Sequence, residues 1–156
     1  MTKSMFAFAA ACALPLVSSA FAQAPAEIDL DTVKPVSGAW SYRSIGGGSE
    51  ADFIDGHADV RLKIRCNRAA RTVSVVRTGI EAAAPKLSIW TTTMSRSVPS
   101  RFLATKELVA DIAATDQLLD AIAFSRGRFA TGAFGAPMVA VPAWPEPIRV
   151  IEDCRS

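Results

Sequence analysis

Histidine and tyrosine occur once each in this chain of 156 residues, and cysteine only three times, which limits the sites that imidazole and thiol groups can build. His57 has no cysteine or second histidine at ligand spacing, so a zinc site lacks donors, and no CxxC offers a redox pair. No G-x-S-x-G elbow presents a serine to that single imidazole. Asp52, Asp55 and Asp59 lack the glycine and the closing glutamate of a calcium loop. The run Gly46-Gly47-Gly48-Ser49 lacks the Gly-Lys-Ser/Thr ending that cradles phosphate, and reads as a turn. No catalytic residue, metal or cofactor is assigned.

An excess of one charge is also missing. Seventeen Lys and Arg stand against fifteen Asp and Glu, so no bulk field draws the chain to nucleic acid or to an anionic bilayer. Aromatic residues do not interleave the basic ones as stacking platforms, and nucleic acid is not an expected partner. Beyond Gln23, Pro, Arg or Asp interrupts every apolar run before it reaches the roughly 20 residues that a spanning helix needs.

What is present starts with an export signal. Lys3 supplies a positive n-region, residues 5–17 an uncharged apolar core, and residues 18–22 a small-x-small cleavage site, so residues 1–22 read as a signal peptide cut after Ala22. Cys12 lies inside the apolar run, with too little hydrophobic sequence before it for a lipoprotein anchor. Removing 22 residues from 156 leaves 134, enough for one core. The expected location is the periplasm or the medium. There the two remaining thiols, Cys66 and Cys154, are expected to pair, and closing a loop of 88 positions is worth about 4–5 kcal/mol on the chain-entropy model.

Residues 23–37 are rich in Ala, Pro and Asp without an apolar period and read as a flexible approach to a single domain at 38–156. Trp40, Tyr42 and Ile45 mark a first strand, and residues 52–59 read as a solvated acidic turn. Residues 60–66 alternate strictly, placing Val60, Leu62, Ile64 and Cys66 inward; residues 72–77 return as the second arm of a hairpin. Residues 87–94 read as a longer strand ended by Pro99 and Ser100. Residues 102–112 fit helix or strand, with strand preferred. Thr115 caps a helix to Phe124, ended by Gly127, and residues 128–133 and 138–141 form a second hairpin. Trp144-Pro145-Glu146-Pro147 opens a terminal helix with Ile148, Ile151 and Cys154 on its buried side; a terminal strand is the second choice. The fold class is α+β, an antiparallel sheet or small sandwich with two short helices and one disulfide.

The candidate anion-binding residues are basic. Arg61, Lys63 and Arg65 share the outward face of the alternating strand, with Arg68, Arg71 and Arg77 extending the cluster. A structural use competes: a basic strand at a sheet edge blocks edge-to-edge pairing. Residues 125–128 with Arg126 and Arg128, together with Arg149 to Arg155, form a second set; ion pairs of Arg126 and Arg128 with Asp116, Asp120, Glu152 or Asp153 are the alternative to an anion pocket.

The distal stretch 116–154, with its Leu-rich helix, Ser-Arg-Gly-Arg-Phe, hairpin and Trp-Pro-Glu-Pro-Ile-Arg-Val-Ile-Glu-Asp-Cys, resembles small uncharacterised exported proteins of Gram-negative bacteria. The leader, early Trp, β-rich middle and late helix are similar in layout to the invasion-associated locus B family, a likeness that transfers no site residue. The resulting expectation is a non-enzymatic periplasmic binding or envelope-associated protein. Its partner would be an anionic envelope component or another protein. The alternative is a small secreted hydrolase or hydrolase inhibitor exposing residues 45–59.

Overall fold

The computed structural model describes residues 25–156; the signal sequence, its cut after Ala22, and Cys12 lie outside them. The described elements in chain order are β1 (Gly38–Ile45), β2 (Gly48–Asp55), β3 (Val60–Asn67), β4 (Thr72–Arg77), β5 (Lys86–Trp90), β6 (Ser95–Pro99), β7 (Arg101–Leu103), β8 (Glu107–Ala113), α1 (Gln117–Ala123), β9 (Arg128–Ala133), β10 (Ala136–Pro142) and α2 (Pro145–Asp153). Six strands form a larger sheet in the order β1-β2-β3-β4-β8-β7, and four form a smaller one in the order β10-β9-β5-β6. All the pairings are antiparallel. The fold is therefore β-rich, with two short helices and one disulfide.

Register decides which side chains meet, because residues directly opposite one another share a face. Trp40, Phe53, Leu62, Arg77, Leu108 and Phe102 form one inward row across the larger sheet. Phe53, Leu62 and Leu108 in that row are fully buried, each worth about 1.5–3 kcal/mol of transfer free energy. The strand β10 crosses this row: the Trp40 indole donates to the Pro142 carbonyl at 2.8 Å, and the Arg77 guanidinium to the Pro137 carbonyl at 3.3 Å. Three strand spacings and five extended residues each span roughly 15 Å, so the crossing is close to perpendicular.

At the other end of the inward face lies α2, packed over β1, β2 and β3. The expected disulfide is present, joining Cys66 to Cys154 with their Cα atoms 5.4 Å apart. The Tyr42 hydroxyl donates to Asp153 at 2.7 Å, and the Arg149 guanidinium sits 4.0 Å above the Tyr42 ring. The terminal helix is thus fastened covalently and by a polar clasp, and the second-choice terminal strand is excluded.

Several local expectations shift. Residues 52–55 are strand, not acidic turn, and the turn is confined to the residues after Asp55. Gly46 and Gly47 close the β1–β2 hairpin, Gly47 at φ +83°, a conformation that favours glycine. The long strand expected over 87–94 ends at Trp90, because the Thr91 hydroxyl bonds within the turn that leads to β6. The strand read at 102–112 is two strands, β7 and β8, separated by a turn with Lys106 at φ 59°. Asp116, not Thr115, caps α1, its carboxylate accepting from the Leu118 amide at 2.8 Å.

Residues 26–36, expected to be flexible, lie along the outer face of the smaller sheet. The Trp90 indole donates to the Ala26 carbonyl at 2.8 Å, and Leu30 is buried against Trp90, Ala130 and Ala140. Gly132 leaves room for that indole, since an added Cβ there would meet the Trp90 ring at 3.0 Å. The packing comes from Ile28, Leu30 and Val33, whose irregular spacing carries no periodic signal.

Candidate anion-binding site

The two basic sets expected to bind an anion stand on different sheets. Arg61, Lys63 and Arg65 belong to β3 of the larger sheet, whereas Arg128 opens β9 of the smaller one and Arg126 lies in the bend before it. Nor is β3 an edge strand; it pairs with both β2 and β4, so protecting an edge is not what its basic residues do.

On the outward face of the larger sheet, Arg43, Glu50, Arg65, Ser74 and Asp111 lie in register as one polar row, whose first three members alternate in charge. The Glu50 carboxylate, 1 % exposed, receives both Arg43 and Arg65. Arg43 also bonds Asp52 at 2.6 Å, and Lys63 bonds Glu107 at 2.9 Å. Burial first, and then the neighbouring Glu50 charge, push the Asp52 carboxyl up despite Arg43. The Lys63 hydrogen bond holds the Glu107 carboxyl below its ordinary range. Lys63 and Arg65 are therefore already matched to carboxylates.

The second set is also engaged. The Arg128 guanidinium donates to the Val33 carbonyl at 2.7 Å and to the Leu30 carbonyl at 3.4 Å, holding the N-terminal segment in place. The ion pairs expected of Arg126 and Arg128 are made instead by Arg96, which bonds Asp116 at 2.7 Å, and by Arg155 of the same set, which bonds Asp120 at 2.8 Å and Glu152 at 3.2 Å. Arg126 lines an open groove of about 630 Å³ whose rim also carries Glu27, Asp29 and Asp31, so that groove is net acidic. His57 is exposed in the β2–β3 turn, where its main-chain amide bonds Asp55. Among the described residues no group of three or more His, Cys, Asp or Glu is placed to hold a metal.

Arg77 is different. Expected with the outward basic cluster, it instead faces inward in the row between Leu62 and Leu108 and is 2 % exposed. Its two contacts are long, 3.4 Å to the Thr131 hydroxyl and 3.3 Å to the Pro137 carbonyl, and its Nε has no partner. Among the described residues no carboxylate forms a salt bridge with it. Burial, and after it the like charge of Arg61, pull its pKa down to about 10, so it stays charged at neutral pH.

Arg61 reaches the same place through a β-bulge. Phe53 opposes Leu62 while Ile54 opposes Val60, leaving Arg61 as the extra residue. Its carbonyl accepts from the Thr78 amide at 3.4 Å, which sets its main chain beside the residue after Arg77. The nearest carboxylate, Asp55, stands 3.7 Å from its Nη1, and its buried Nε is also without a partner. Two guanidiniums with unpartnered Nε atoms thus belong to one end of the sheet, where each feels the other's charge. Each guanidinium offers five N–H groups in a planar fork, geometry that fits an oxyanion.

No protein-family model matches the chain, and neither a curated protein nor a solved structure does.

Proposed function

We propose that this chain is an exported, non-enzymatic binding protein of the bacterial envelope whose ligand is anionic. The observation that carries the reading is Arg77: a guanidinium 2 % exposed, charged at neutral pH, and not neutralised by any carboxylate among the described residues. A buried charge held without a counter-charge costs stability, and such costs concentrate at sites that recognise a ligand. The Cys66–Cys154 bond supports an oxidising compartment, in keeping with the leader read at residues 1–22. The resemblance to small exported proteins supports the same setting.

The test combines location with ligand charge. The protein recovered from the periplasm should begin at Gln23 and carry both thiols oxidised by intact mass. Its thermal midpoint should rise with lipopolysaccharide or acidic glycans and stay fixed with neutral glycans of similar size. A midpoint indifferent to ligand charge removes the binding reading.

A further inference from the structure

Beyond their few polar neighbours, Arg61 and Arg77 share one end of the molecule with apolar elements. The strand β10 crosses the Arg77 row and its Pro137 carbonyl touches the guanidinium, so the β9–β10 hairpin continues past Arg77 towards the β8 and β7 end of the same row. That hairpin ends in Phe134, 92 % exposed, with Met138 37 % exposed one residue beyond Pro137. The row itself ends in Phe102, 36 % exposed on the edge strand β7. Between Arg77 and Phe102 lies Leu108, which is fully buried.

Apolar side chains of this size are usually buried; here Met138 adjoins the Pro137 that touches Arg77, Phe102 ends the Arg77 row two strands away, and Phe134 sits in the turn of the same hairpin. The register shift between Ala136 and Val139 re-aims this hairpin, as bulges near binding sites commonly do. A small polar anion would satisfy the guanidiniums and leave the apolar rim in water. A neutral apolar ligand would cover the rim and leave the charge unmet.

We infer that the site at Arg61 and Arg77 takes an anionic amphiphile, with its oxyanion head between the two guanidiniums and its hydrocarbon tail across Phe134, Met138 and Phe102. The inference rests on the anion-binding reading above and adds the chemical class of the ligand. The head is a carboxylate or a phosphate monoester, since a planar fork of N–H donors receives either. Burying the tail adds the apolar contribution that a bare ion lacks.

Binding is measured by titration calorimetry on the mature, oxidised protein below the micellar concentration of each probe. Dodecanoate and dodecyl phosphate test the two heads, acetate and inorganic phosphate the heads without a tail, and dodecyl maltoside a tail without charge. The expected result is that at least one charged amphiphile binds tenfold or more tighter than its tail-less ion and than the neutral detergent. Arg61→Gln should weaken it about tenfold. Phe134→Ser, a change at a fully exposed position, should weaken it several-fold with an unchanged thermal midpoint. Equal affinity for the tail-less ions overturns the amphiphile while leaving the anion reading in place. Equal affinity for the neutral detergent overturns the role of the arginines, and binding by none of the five overturns both.

Discussion

The β3–β4 hairpin has two ends, and they are built on opposite principles. Near its turn, Cys66 faces Val73 and is bonded to Cys154, so that inward face is apolar and covalently tied. Four residues along β3, Leu62 faces Arg77, and the same inward face holds a guanidinium with an unpartnered Nε. One end maximises stability through a covalent tie and apolar burial. The other keeps a charge that a leucine or methionine in the same row would dispense with. Two ends of one hairpin share their backbone, so the contrast belongs to side-chain chemistry and not to strand geometry.

Breaking the stable end should have the largest effect. Replacing Cys66 and Cys154 together by alanine is expected to cost about 4–5 kcal/mol, read as a fall in the urea midpoint at constant slope. A loss near zero would mean that α2 is held without the tie, by the Tyr42 clasp and its apolar face alone. At the other end the expected sign is opposite. Arg77→Met removes a buried, uncompensated charge and two long hydrogen bonds while keeping volume, and should leave the protein equally stable or raise stability by up to about 2 kcal/mol. A clear loss of stability would make Arg77 a structural strut between the sheets and dissolve the contrast.

Much of the stable end was legible in the residues, and little of the other. Strict alternation over 60–66 placed Cys66 inward, two surviving thiols left one pairing, and Pro145 with Pro147 marked the start of the helix that brings Cys154 to it. The face of Arg77 is not legible in the residues, because Val75 and Val76 are both buried and β4 has no visible phase of its own. Its phase follows from Cys66 through the register, and the turn between β3 and β4 had to be seen to supply it. The strand β2 was hidden for a related reason. Glu50 and Asp52 are depleted residue types in strands, and their burial depends on Arg43 and Arg65, which lie on its two neighbours. Arg65 opposite Glu50 and Lys63 opposite Asp52 would have been the available signal, but only once that register was known.

A smaller effect sharpens the comparison, because Arg96 has what Arg77 lacks. It bonds Asp116 at 2.7 Å, and the same carboxylate caps α1. Burial pushes the Asp116 carboxyl up, but the Leu118 amide and the Arg96 guanidinium outweigh it and hold it below its ordinary 3.8. A carboxyl lowered on folding stabilises the protein in full above its unfolded value, and that contribution fades as pH falls through the folded one. Asp116→Ala should therefore cost about 1 kcal/mol at neutral pH, with the gap from wild type narrowing below about pH 4. Asp116→Asn keeps the cap acceptor and loses only the charge, so its smaller deficit should also close in acid. Urea midpoints at neutral and acid pH check this. A gap that widened in acid would show that the carboxylate contributes nothing through its charge, and the paired arginine would then be no better served than the unpaired one.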